Sequence, residues 1–177
     1  MRIKFLLLVL AIIFLNVTGC ESIGSRSENS RVGMTLESRS EIVFYGVLSL
    51  PFSGNYESIW IEDGPIIITP GESPVAYRVI SKDEIEFIGS NKSPYDFFKS
   101  SFGGSADEIE KSFIEGLGNV TSKSHHHGNG VEYHLIQIEE NTKLYITSSS
   151  IDFAVEVSVK NTLSELIKNI INKTHLK

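Results

Sequence analysis

Residues 119–160 read NVTSKSHHHGNGVEYHLIQIEENTKLYITSSSIDFAVEVSVK, and they decide the fold. Gly128-Asn129-Gly130 is a strong hairpin turn, because Asn and Gly accept the positive φ angles that a tight two-stranded turn demands. Strands are therefore expected over 119–126 and 131–139. A short turn at Glu140-Asn141 leads to Lys143–Ser148 (KLYITS). Phe153–Val159 (FAVEVSV) then alternates apolar and polar residues, as a strand does. Strands joined by loops this short form an antiparallel meander.

Working outward, Thr162-Leu-Ser-Glu165 matches a capping box, with Leu163, Leu166, Ile167, Ile170 and Ile171 at helical spacing behind it. Such a stripe packs on one side of a sheet. Upstream, Ser93-Pro94 reads as an N-cap followed by a first-turn proline, and Tyr95, Phe97, Phe98 and Phe102 supply an apolar helical face that Gly103-Gly104 ends. Ser105-Ala-Asp-Glu108 is a second capping-box pattern, ahead of Ile109, Phe113, Ile114 and Leu117; Gly116 and Gly118 mark the stop. Before residue 90 the signal is strand and turn: Ile42–Leu50 up to Pro51, Ser58–Ile61, Pro65–Thr69 after Asp63-Gly64, Val75–Ile80 and Ile85–Ile88. The expectation is an α+β domain over 42–177: a single antiparallel sheet, with helices near 94–117 and 161–173 packed on it.

The order of strands, central helical segment, meander (with VEYHLIQI and KLYITS) and closing amphipathic helix is similar to that of PsbP/Mog1-like α/β/α sandwiches. The resemblance spans about residues 42–172 without a diagnostic motif. It implies binding to other proteins rather than catalysis.

At the other end of the chain, Arg2 and Lys4 precede eleven apolar residues, Phe5–Leu15. A helix of that length covers roughly 16 Å, about half of a bilayer's hydrocarbon core, so a secretory signal peptide is expected in place of a span. Val17-Thr18-Gly19-Cys20 resembles the lipobox of bacterial lipoproteins. The resemblance implies diacylglycerol transfer to the Cys20 sulfur and cleavage between Gly19 and Cys20, removing residues 1–19. Cys20 is the single cysteine, so no internal disulfide is available to an exported domain. Acyl chains contribute roughly 0.8 kcal/mol per buried CH₂, and two or more hold firmly. The expected location is the bacterial cell envelope. Glu21 after the cysteine leans towards the outer membrane, facing the periplasm; an inner membrane or a Gram-positive cell membrane stays open.

Residues 20–41 hold six serines and mixed charges, and they read as a flexible tether of roughly 25 Å reach. Without residues 1–19 the 16 basic residues fall to 14 against 22 acidic, a net charge of −8. That balance argues against binding nucleic acid, which needs lysine and arginine to displace counterions.

Chemistry is sparse. No GxSxG or SxxK pattern occurs, the cysteine is committed to lipid, and neither an enzyme nor a cofactor is expected. His125, His126 and His127, with His134 beyond them, are candidate zinc, nickel or copper ligands. No fixed ligand spacing supports them, and the leading reading is the polar end of a hairpin with no metal. Phe102-Gly-Gly-Ser105 reads as a helix-to-helix turn, and His175 as part of a frayed tail. Tyr45, Phe52, Tyr56 and Trp60 cluster near the first strands, either as core or as an exposed binding surface. The leading expectation is a non-catalytic lipoprotein, anchored through acyl chains on Cys20, that binds another envelope or secreted protein as an accessory, immunity or exclusion factor. A cell-wall enzyme or small-ligand carrier, and a metal-binding module using His125–His127, are the rivals.

Overall fold

The computed structural model describes residues 34–38, 41–51, 58–61, 65–68, 75–160 and 164–177, with backbone alone at 34–38, 58–61, 65–68 and 164. Cys20, Gly19, Phe52 and Tyr56, and the capping residue Thr162, lie outside them, as does the side chain of Trp60.

The meander forms as expected. Strands β7 (Val120–Gly128), β8 (Val131–Ile138), β9 (Asn141–Thr147) and β10 (Phe153–Lys160) pair antiparallel in sequence order, and β6 (Ala76–Ser81) adds beside β10. Asn129 and Gly130 take φ of 55° and 74° in the β7–β8 turn. Alternation gives this five-stranded sheet two buried faces. Tyr77, Val79, Val131, Tyr133, Leu144, Ile146, Val155 and Val157 point one way. Ile80, Ile136, Tyr145 and Ala154 point the other.

Helices α1 (Lys82–Phe87), α2 (Pro94–Gly103) and α3 (Glu108–Gly116) cover the second face, where Phe98 stacks on Tyr145 at 4.6 Å between ring centroids. The first face is covered by helix α4 (Ser164–Lys173), through Ile167 and Ile170, and by a separate sheet. That sheet runs β1 (Met34–Ser38), β2 (Glu41–Phe44), β3 (Leu48–Pro51), β11 (His175–Leu176). Among the described residues strands β4 (Ser58–Ile61) and β5 (Pro65–Ile68) pair with each other and with no third strand. The class is α+β, with helices on one face of the five-stranded sheet and mixed helix and sheet on the other.

Six expectations need correction. The single sheet is three, because the β2–β3 hairpin packs its apolar residues face to face on the large sheet instead of joining its edge. Ile42–Leu50 is not one strand: Tyr45 and Gly46 take φ of 49° and 72°, and Val47 N–H donates to Phe44 O at 3.0 Å, which folds the run into a hairpin. Ile85–Ile88 falls in and after α1, whose Ser81 cap accepts from Glu84 N–H, with Ile85 as its buried residue. The cap of α3 is Asp107, not Ser105, closed reciprocally with Glu110. Met34–Ser38, expected within the tether, form a strand that pairs with β2.

The tail is not frayed either. His175 and Leu176 pair with Ser49 and Leu48, and Lys177 N–H donates to Val47 O at 2.9 Å.

Candidate functional site

β7 is the outer strand of the five-stranded sheet, nine residues long and exposed along nearly its whole length. An outer strand offers the N–H and C=O groups of alternate residues to a further strand. Thr-Ser-Lys-Ser-His-His-His has no apolar residue to bury, β8 pairs with it on one side, and among the described residues no strand pairs with it on the other.

Alternation sorts the histidines. His125 and His127 share the helix-side face with Glu132 and His134 of β8, directly across the register. His126 lies on the opposite face, at the rim of a groove beneath α4. Glu132 is the hub: one carboxylate oxygen meets His125 Nε2 and the other lies 3.2 Å from His127 Nδ1. Burial pushes the Glu132 carboxyl up, but the hydrogen bond and charge of His125, with those of His127, outweigh it and hold it below the ordinary carboxylate range.

His134 is the buried member, 1 % exposed. Its ring lies 5.0 Å from those of His125 and Phe102. Nε2 is 3.4 Å from Thr147 Oγ1, and Nδ1 has no partner among the described residues. Burial, and then the charge of His125, push its pKa down to about 4, so the ring is neutral at pH 7. The row continues across the sheet. Cα partners run from His125 to His134, Tyr145, Glu156 and Arg78, one residue from each strand. Lys143 Nζ neutralises Glu156 at 2.6 Å, and Arg78 pairs with Glu84 of α1.

This geometry does not favour metal. An imidazole lone pair lies in the ring plane, and His125 and His134 stack at an interplanar angle of 14°, so their lone pairs run parallel instead of converging. Among the described residues no three metal-ligating side chains converge.

A second polar cluster joins α2 to α3. Glu110 is fully buried and receives Asp107 N–H at 2.8 Å, Lys92 Nζ at 2.6 Å and the Ser100 hydroxyl. Lys92 Nζ is also 3.2 Å from Ser100 Oγ, the arrangement of a serine–lysine pair. Its chemistry runs the wrong way for catalysis. A lysine acting as base needs a lowered pKa. Here the hydrogen bond to Glu110 raises it against the opposing effect of burial. The cluster is a helix cap with a cation clamped over it.

Two grooves flank β7. One, about 430 Å³, lies under α4 and is floored by Leu135, Val159, Ile167 and Ile171, with Lys160 and Lys168 at its rim. The other, about 560 Å³, lies by the α2–α3 loop between Phe102, Lys111, Glu115 and Lys123. Of the expected aromatic surface, Tyr45 is 52 % exposed at its hairpin tip, with its ring against Phe153 at 4.8 Å.

Glu132 carries no motif in the sequence, and only its strand position marks it. Counting by twos along VEYHLIQI places it on the face of His134, and the Asn129-Gly130 turn brings that face to His125 and His127.

No protein-family model matches the chain, and no curated protein matches it in sequence. Fold and site together define a layered α+β domain with a histidine- and lysine-bearing strand at the edge of its five-stranded sheet among the described residues. Among the described residues no helix is long and apolar enough to cross a membrane.

Proposed function

We propose that this chain is a non-catalytic envelope lipoprotein, held to a membrane through acyl chains on Cys20, whose domain binds another protein along β7. The observation that carries the reading is the nine-residue outer strand, with no strand paired to its outer side among the described residues and a groove on each flank. Strand addition at such an edge is a recurring mode of peptide recognition: main-chain hydrogen bonds hold the segment and flanking pockets choose its side chains. Helices on both faces of the five-stranded sheet support the resemblance to PsbP/Mog1-like sandwiches, and the β1–β2–β3–β11 sheet on one face departs from it. The hydrophobic run and Val17-Thr18-Gly19-Cys20 support the anchor. The exposed Tyr45 is a second contact point for a partner.

The test places a photo-crosslinking amino acid at Ser124 on β7 or, as control, at Asp83 on α1, in cells making the full chain. A discrete protein adduct from Ser124 and none from Asp83 is expected. No adduct specific to β7 would remove the binding reading. In the same cells Cys20→Ser should move the chain out of the membrane fraction and change its mass; unchanged fractionation would remove the anchor.

A further inference from the structure

We infer that the partner segment is an acidic strand in which carboxylates alternate with apolar residues, added to β7 as the sixth strand of the sheet. This rests on the protein-binding reading above and adds the chemistry of the partner. The chain as a whole is acidic, with a formal net charge of −6. The two grooves beside β7 are the reverse: their lining holds Lys111, Lys123, Lys160 and Lys168 against the one acid Glu115. Of these lysines only Lys168 is in an ion pair among the described residues, with Glu165 at 2.7 Å. Glu132, on the helix-side face of the neighbouring strand, is already committed to His125 and His127.

Alternation then sets the pattern of the incoming strand. Side chains on its helix-side face lie beside Lys123, His125 and His127, where carboxylates are favoured. Those on its other face lie beside Ser122, Ser124 and His126, over the groove floored by Leu135 and Ile171, where an apolar side chain removes surface from water. A second copy of this chain is a poor occupant, because β7 against β7 brings lysine and histidine edges together.

The test measures fluorescence anisotropy of three labelled nine-residue peptides on the full chain in detergent. One alternates Glu with Val, one alternates Lys with Val, and one holds the Glu and Val residues in two blocks. The Glu–Val alternating peptide should bind at least about tenfold more tightly than either other peptide, and Lys123→Glu should weaken it while strengthening the Lys–Val peptide. Lys123 is an exposed edge residue, and unchanged circular dichroism confirms that the variant folds. Equal binding of the three peptides, or no effect of Lys123→Glu, overturns the inference. So does a concentration-dependent dimer on sedimentation that Lys123→Glu abolishes, which assigns the edge to a second copy. A β7-specific adduct in cells together with charge-blind peptide binding would leave the protein-binding reading intact and remove only the acidic partner.

Discussion

His134 shows how one residue's meaning changes with burial. In the sequence it stands seven positions after His127 and looks like a fourth ligand. In the fold it is a neutral ring packed between His125 and Phe102. Its lowered pKa links folding to pH with a definite sign. The unfolded chain takes up a proton near the ordinary histidine value of 6.5, whereas the folded chain does so only near 4. Below 6.5 the unfolded state therefore gains protons first, and stability falls between those two values by about 3 kcal/mol in total. His134→Phe keeps a ring and removes the titration. Urea unfolding at pH 7 and pH 4.5 should show the variant losing about 2 to 3 kcal/mol less than the parent across that interval. Parallel losses would mean that His134 is not the group responsible. Tyr45 carries a different residue-scale lesson: a bulky side chain at positive φ is uncommon, and here it buys a tight hairpin with its ring presented at the tip.

At the scale of elements, the α2–α3 corner depends on one carboxylate. Glu110 closes the cap of α3 through Asp107 N–H and at the same time anchors Lys92 from the loop before α2. Glu110→Ala removes the acceptor of Asp107 N–H in the α3 cap and takes the 2.6 Å carboxylate partner from Lys92 Nζ, so a loss of about 2 kcal/mol is expected in urea denaturation. Glu110→Gln keeps an acceptor oxygen and should retain more than half of that. An equal loss in both variants would assign the effect to packing alone. The sequence carried the capping-box pattern for this helix but offered two overlapping versions of it. Ser105…Glu108 and Asp107…Glu110 both have the right spacing, and only the position of Lys92 and the α2–α3 turn separates them. Helix α1 was hidden for a related reason. Ser81…Glu84 is also cap-like, but Ile85, Phe87 and Ile88 are too few to show a helical period and read equally as a strand.

At the scale of the whole molecule, the last three residues join layers that are distant in sequence. β11 extends the β1–β2–β3 sheet, Leu176 lies 3.5 Å from where a Cβ on Gly130 would be, and Asn129 Nδ2 donates to Thr174 O at 3.2 Å. The C-terminus therefore ties the small sheet to the β7–β8 turn. Deleting residues 175–177 removes two backbone pairings and the partly buried Leu176, a cost of about 2 kcal/mol. Faster hydrogen exchange in Leu48–Leu50 should accompany the lower stability. Unchanged exchange there would show that the tail adds nothing to β3.

Local chemistry was enough to identify the elements that carry their own signal. The Asn129-Gly130 turn, the proline-capped α2 and the isoleucine stripe of α4 each specify a backbone conformation within a few residues, so they were legible in the letters. The pairing within the meander followed from its short loops. What the tertiary structure alone decided was which surfaces meet. A hairpin such as Ile42–Leu50, continuous in β-propensity and broken only by Tyr-Gly, acquires its turn from packing face to face on another sheet. The hub at Glu132, the neutral His134 and the lysine-rimmed grooves beside β7 exist because strands and helices far apart in the chain were brought side by side. Burial and through-space charge depend on neighbours in space, and sequence order does not encode those distances.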